Sequence, residues 1–158
     1  MKTRSKPPGQ SAKGSVAVEM AIMLPLLILI LALGLFFARI YMFYSVGQKA
    51  AHDATRFLST VTQAEMRTPA GGFGEARVAA LARWIAQEEL MDIVGFTDGI
   101  MIHISCDLRA CGQDIPKTVT VQVQIILHDD ILDSLTSVYL GNTDVAVVGD
   151  VTMRYVGR

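Results

Sequence analysis

Apolar residues along this chain change their spacing twice, and each change marks a different kind of element. From Met20 to Ala38 the sequence reads MAIMLPLLILILALGLFFA, without a charge, an amide or a hydroxyl. At about 1.5 Å per residue such a run extends roughly 28 Å as a helix, close to the hydrocarbon thickness of a bilayer. Beyond it the apolar positions thin to Ile40, Phe43, Tyr44, Val46, Ala50, Ala51, Ala54, Phe57, Leu58 and Val61. Spacings of three and four put these on one stripe of a continuing helix, while Gln48, Lys49, His52, Asp53 and Arg56 fill its other side. The sequence therefore predicts one long helix over 15–66, with a transmembrane span at about 20–38 and an amphipathic second half.

TPAGGFG at 68–74 interrupts that pattern with Pro and Gly and reads as a loop. A second helix follows in EARVAALARWIAQEELMDIV, where Val78, Leu81, Ala82, Trp84, Ile85 and Leu90 are the expected buried face and Trp84 the expected core anchor. After Gly99 the period shortens to two. Ile100, Ile102, Ile104 and Cys106 alternate with Met101, His103 and Ser105, and Val119, Val121, Val123 and Ile125 alternate with Thr118, Thr120, Gln122 and Gln124. Gly112 and Pro116 lie between the two runs, which predicts an antiparallel hairpin. A short helix capped by Asp129 or Asp130 and running through Leu135, then a last strand pair or single strand covering 144–156, complete the reading. The expected fold class is α+β: a long N-terminal transmembrane and amphipathic helix, a second helix and a small antiparallel sheet, with the body at 75–158 forming one extracytoplasmic domain.

Charge gives this architecture a direction. Lys2, Arg4, Lys6 and Lys13 make residues 1–14 basic with no acid, whereas the remainder holds ten basic against fifteen acidic residues. A basic arm before the span and an acidic body after it predict a cytoplasmic N-terminus and a periplasmic or extracellular body, in a single-pass inner-membrane protein. An acidic body also argues against nucleic acid as a partner, because phosphate contact needs a positive face.

Cys106 and Cys111 lie close together in the part placed outside, where thiols oxidise in pairs, so a disulfide is expected. Closing so short a loop contributes about 2 kcal/mol on the chain-entropy estimate. The alternative, a metal held by His103, Cys106, Cys111 and His128, matches no common zinc spacing. Asp129, Asp130, Asp133, Asp144 and Asp150 offer calcium chemistry, but helix capping and solubility account for them more simply. His52, His103 and His128 stand far apart, with no nucleophile motif and no phosphate-binding glycine loop, so no enzyme activity, cofactor or metal is expected.

The junction between arm and span carries the functional signal. It reads KGSVAVEMA, placing Gly14, Ser15 and Glu19 just ahead of the uncharged run. A carboxylate at that depth costs on the order of 1 to 3 kcal/mol. Two readings account for it. Glu19 either sits at the interface and gains from the positive helix N-terminus, or it neutralises an α-amino group freed on a neighbouring copy by cleavage after Gly14.

A short basic leader ending in Gly, a Glu five residues later and an apolar helix resemble the prepilin leader of type IV pilins and pseudopilins. The run AVEMAIMLP, an aromatic-rich exit at Phe36, Phe37, Tyr41, Phe43 and Tyr44, then AAHDATRFL and the late TMRY resemble the TadE-like minor pilins of tight-adherence (Flp-type) pili. The resemblance covers Gly14 to Leu58 well and the last strand weakly. It implies a pilin-like fold, cleavage by a prepilin peptidase between Gly14 and Ser15, Glu19 as the assembly carboxylate, and Pro25 as the proline of the family's Leu-Pro. The partners it implies are other major and minor pilins, the assembly platform and the membrane; the roles are pilus assembly, adhesion or surface attachment. Met20 stands where major Flp pilins carry Tyr, and the body is far larger than a major subunit, which points to a minor component.

The aromatic exit is equally well read as an interfacial belt, and Pro25, which cannot donate its backbone N–H, as a point where the first turns can pivot. Two alternatives stand beside the pilin reading. One is an uncleaved, membrane-anchored periplasmic binding module. The other is a secreted enzyme released by signal peptidase at Ala32-Leu33-Gly34.

Overall fold

The computed structural model describes residues 13–68, 76–112, 114–128, 137–138 and 144–157. The arm at 1–12, the Pro/Gly-rich loop at 69–74 and the expected helix through Leu135 lie outside the described residues. Within them the order is helix α1 (Lys13–Thr60), a single turn α2 (Gln63–Met66), helix α3 (Arg77–Leu90), a 3-10 helix (Met91–Phe96), and strands β1 (Gly99–Cys106), β2 (Thr118–His128) and β3 (Asp144–Arg154). The fold is mixed α+β.

The strands form one antiparallel sheet in the order β1-β2-β3. Its register puts Ile104 opposite Val121 and Val121 opposite Val151, and likewise Ile100 opposite Ile125 and Ile125 opposite Val147. Because side chains alternate along a strand, these rows face one side together. That side is covered by α1, which lies across β2 and β3, and by α3, which packs beside α1. Val119, Val121, Val123, Ile125 and Leu127 of the central strand are all buried there. On the opposite face the row His103, Gln122 and Asp150 is exposed.

The helix expected over 15–66 is divided in two. It starts at Lys13, so Gly14 and Ser15 are already in helical backbone, and it ends at Thr60. The division has a local cause. Thr62 caps a new turn, with its side chain accepting from the Glu65 amide while the Glu65 carboxylate accepts from the Thr62 amide. The Val61 carbonyl is taken by the Tyr155 hydroxyl at 2.7 Å, and the Ser59 carbonyl by the Val156 amide at 2.9 Å. The chain's last described segment thus satisfies carbonyls that the end of a helix leaves open. Burial raises the Tyr155 hydroxyl's pKa above the ordinary tyrosine value.

The second helix is also shorter than its hydrophobic pattern predicts, passing into the 3-10 helix after Leu90. Its buried face is Val78, Ala79, Ala82, Ala86 and Leu90. Leu81 is exposed, and Trp84, expected as the core anchor, is 59% exposed. Alanines take the inner face because α3 lies against a stripe of α1 that is itself made of Ala50, Ala51 and Ala54, all fully buried. An indole on that face would hold the helices apart. Phe43, read both as part of the apolar stripe and as part of the aromatic exit, is 1% exposed and belongs to the core, as the stripe reading has it, with the Arg39 guanidinium 5.9 Å from its ring centre.

Candidate functional site

Two features carry the candidate chemistry, and they lie at opposite ends of the molecule. At the N-terminal end, α1 projects from the domain as a bare stalk. Every described side chain from Val16 to Leu31 is exposed, and most are large and apolar. Among the described residues, α1 alone is long and apolar enough to cross a membrane, and none of its spanning window is buried inside the protein. Glu19 is exposed on this stalk. Its spacing from Ser15 is one helical turn, so the two positions share a face. Pro25 is accommodated within continuous helix, although it cannot supply the hydrogen bond that would reach the carbonyl four residues earlier.

Above the stalk the same helix meets the sheet at close quarters. A Cβ built on Gly149 would lie 2.9 Å from the Gly47 carbonyl carbon and 3.0 Å from the Gln48 nitrogen. Only a residue without a side chain lets the β3 backbone approach α1 so closely. Thr55, one of the few polar side chains inside, is satisfied locally: its hydroxyl reaches the Ala51 carbonyl at 2.6 Å, with the Val151 carbonyl at 3.3 Å. An ion pair between Lys49 and Glu89 closes the outside of the α1–α3 contact. The Glu89 carboxylate holds the Lys49 ammonium above its ordinary pKa, first by hydrogen bonding and then by charge.

At the far end, Cys106 and Cys111 form a disulfide with Cα atoms 5.0 Å apart. The two cysteines are bonded to each other and so offer no thiolates for a metal; His103, one of the other expected ligands, sits on the exposed face of β1 while Cys106 faces inward. Sequence spacing located the bridge but not the turn inside it. Cys106 and Arg109 exchange backbone hydrogen bonds at 2.8 and 3.0 Å, leaving Asp107 and Leu108 as a two-residue turn with φ of 49° and 65°. Positive φ at both positions is the geometry of hairpin turns that usually contain Asn or Gly. Here Asp107 pins it: its carboxylate accepts from the Lys117 amide, the Thr118 amide and the Thr118 hydroxyl at 2.8 to 2.9 Å. These hydrogen bonds, that from Lys117 foremost, hold its pKa below the usual carboxylate value. The Cys111 carbonyl in turn accepts from the Ala76 amide at the start of α3, which ties the bridge to the helical layer.

With the stalk, the packing stripe and the bridge in place, the comparison with known families can be read against geometry. Residues 14–56 match the family model for TadE-like proteins. From Gly14 to Arg56 the chain is similar to TadE-like proteins. The match thus takes in the exposed stalk and the buried Ala50, Ala51 and Ala54 of the upper half of α1. It ends before Leu58, and the late TMRY segment, which lies across the end of β3, is outside it. No curated protein and no solved structure matches the chain. The similar segment contains the part of α1 that, among the described residues, is long and apolar enough to cross a membrane.

Proposed function

We propose that the protein is a minor pilin, or pseudopilin, of a Tad (Flp-type) pilus, cut by a prepilin peptidase between Gly14 and Ser15 and acting in pilus assembly, adhesion or surface attachment. The observation that carries this reading is the stalk. It is a helix whose apolar side chains from Val16 to Leu31 are covered by none of the other described residues, and it starts at Lys13, one residue before the TadE-like match. Such a surface is stable only in lipid or against other apolar helices. A filament or an assembly platform supplies the second environment, and the amphipathic upper half keeps the domain attached during the exchange. In this reading the N-terminus is cytoplasmic and the domain lies on the far side of the inner membrane, where the Cys106–Cys111 bridge persists.

Glu19 then has a role that repays its position. Once Ser15 becomes the first residue, its ammonium and the Glu19 carboxylate of a neighbouring subunit neutralise one another inside the bundle. The protein's work is structural rather than catalytic, and its partners are the peptidase, other pilins and the platform. Replacing Gly14 with a bulky residue tests the reading directly. Intact-mass analysis is expected to find a chain starting at Ser15 from the native protein and an uncut chain from the variant. Identical N-termini in both would sink the proposal.

A further inference from the structure

The 3-10 helix after α3 is unusual in showing its apolar side chains outward. Ile93 is buried and fixes the segment to the core, while Met91, Val94 and Phe96 face away from it, Phe96 being 66% exposed. Its height on the molecule explains why. Strand β3 climbs beside α1 in the same direction: Gly149 is level with Gly47 and Gln48, Val151 with Thr55, and Tyr155 with Val61. The lower end of the sheet therefore points toward the stalk.

The Asp98 amide bonds the Ile126 carbonyl at 3.0 Å, and Ile126 pairs with Ala146, which precedes Gly149 by three residues. Three strand residues descend roughly 10 Å, equal to about six or seven residues of helix. That sets Ile126, and Phe96 close to it, level with Tyr41. Tyr41 and Met42 are exposed on α1 at this height, and the uncharged run ends at Ala38. Phe96, at the end of the 3-10 helix, thus lies about 5 Å above the hydrocarbon edge, inside the headgroup zone of a bilayer that α1 crosses.

We propose that the end of the 3-10 helix is a membrane seat, in which Phe96, together with Tyr41 and Met42 of α1, rests in the headgroup layer of the leaflet from which the helix emerges. The seat rests on the reading of α1 as a spanning helix. Two points of contact, one through the span and one through the 3-10 helix, fix the tilt of the domain over the surface, which a single helix alone leaves free. Asp92 and Asp98 are exposed on the same segment, so the partner surface is neutral, zwitterionic lipid rather than anionic lipid, and the insertion is shallow.

The test uses the full chain in phosphatidylcholine vesicles. The single native tryptophan is removed by Trp84→Phe, a change at an exposed site, and a probe is placed by Phe96→Trp or, separately, by Leu29→Trp. Lipids brominated near the headgroup are expected to quench the probe at 96, whose emission lies to the blue of the native Trp84 signal and resists iodide. Lipids brominated deep in the chains are expected to quench the probe at 29. A probe at 96 that iodide reaches and brominated lipid does not, while the probe at 29 is quenched, overturns the seat and leaves the span. A probe at 96 shielded from both quenchers overturns it in favour of a covering protein copy. If the probe at 29 is itself unquenched, span and seat fall together.

Discussion

Phe37 and Phe43 stand less than two turns apart on the same helix, yet the first is 64% exposed and the second is fully enclosed. Between them α1 passes from one environment to another. Below, its apolar surface is built from Leu, Ile and Met and runs around the whole circumference. Above, it narrows to a stripe of Gly47, Ala50, Ala51 and Ala54, with charged groups such as Lys49 and Arg56 outside. The difference teaches that hydrophobic residues serve two ends in one element. Large side chains present area to lipid or to other helices; small ones give up area so that backbones can approach, as Gly47 and Gly149 do. The lower half is specified for exchangeable surroundings, the upper half for one particular neighbour.

The largest expected effect separates the halves by function. Glu19→Ala makes the span more apolar, so membrane insertion and cleavage after Gly14 are expected to persist while assembled pili are lost. Glu19→Gln should behave nearly as badly, since it keeps the shape and removes the charge. Pilus yield by microscopy beside an immunoblot of the cleaved chain checks this; normal pili from a cleaved Glu19→Ala protein would leave Glu19 as an interfacial carboxylate only.

Next comes the pair of phenylalanines. Phe43→Ala empties a closed site and is expected to cost the domain about 3 to 5 kcal/mol. Phe37→Ala removes nothing from the domain core, and its cost to the same unfolding transition is expected within about 0.5 kcal/mol. Denaturant unfolding in detergent, followed by the Trp84 fluorescence, compares them. Equal losses would mean that the boundary between the halves does not lie where burial begins.

The glycines sharpen the same boundary. Gly149→Ala drives a methyl group into the Gly47–Gln48 backbone and is expected to destabilise by about 1 to 3 kcal/mol. Gly34→Ala meets nothing within 4 Å and is expected to stiffen the stalk, gaining up to about 1 kcal/mol of helix propensity. Thermal melts of the two variants should move in opposite directions or, for Gly34, not at all; a fall of equal size for both would show that the stalk is packed after all.

How much of this was legible in the sequence follows from the kind of physics involved. The span, the period-two strands and the Cys106–Cys111 bridge are local patterns, and the structure contains each of them close to its expected place. What escaped depended on distance between elements. Trp84 and Leu81 read as core because they are large and at helical spacing, but the face α3 buries was chosen by how near α1 lies, a quantity no single segment encodes. Phe43 was legible in the apolar stripe but equally as part of the aromatic exit, because the two patterns overlap along one unbroken helix. Gly47 and Gly149 are separated by a hundred residues of chain, and neither looks different from any other glycine until they meet. The Asp107-Leu108 turn lacks the Gly that marks such turns, so Gly112, which does have a positive φ of 115°, and Pro116 drew the turn past it. The Gly14–Ser15 junction is read from sequence chemistry alone, and the cleavage proposed there is a matter for the intact-mass comparison rather than for any packing.

Reduction of the bridge should loosen the upper domain and leave the stalk untouched. Breaking Cys106–Cys111 is expected to cost about 2 kcal/mol, seen as a lower unfolding midpoint with reductant, while the protein stays in the membrane fraction. An unchanged midpoint would mean that the Asp107 hydrogen bonds hold the turn without the disulfide.

Those hydrogen bonds give the smallest effect, and acid isolates it. The fold lowers the Asp107 pKa by donating two amides and a hydroxyl to the carboxylate, so it favours the charged form. The resulting stability is complete above the ordinary aspartate value of about 3.9 and is lost as pH falls through the lower, folded value. Glu65, whose pKa the Thr62 hydrogen bonds also lower, titrates in the same direction, so the acid response of the native protein alone does not assign the effect. Asp107→Asn does, because asparagine tolerates the left-handed backbone at this position while it removes the charge and one of the two oxygens that accept from the Lys117 and Thr118 amides. The variant is expected to melt below the native protein at neutral pH, with the gap closing as both are taken below about pH 4. Asp107 is solvent-exposed, so added salt should narrow the gap at neutral pH as well. Melting curves at pH 7 and in steps down to acid, with and without salt, give the answer. A gap that stays constant through the acid range would show that Asp107 holds the turn by shape alone and that its charge contributes nothing to the distal end of the domain.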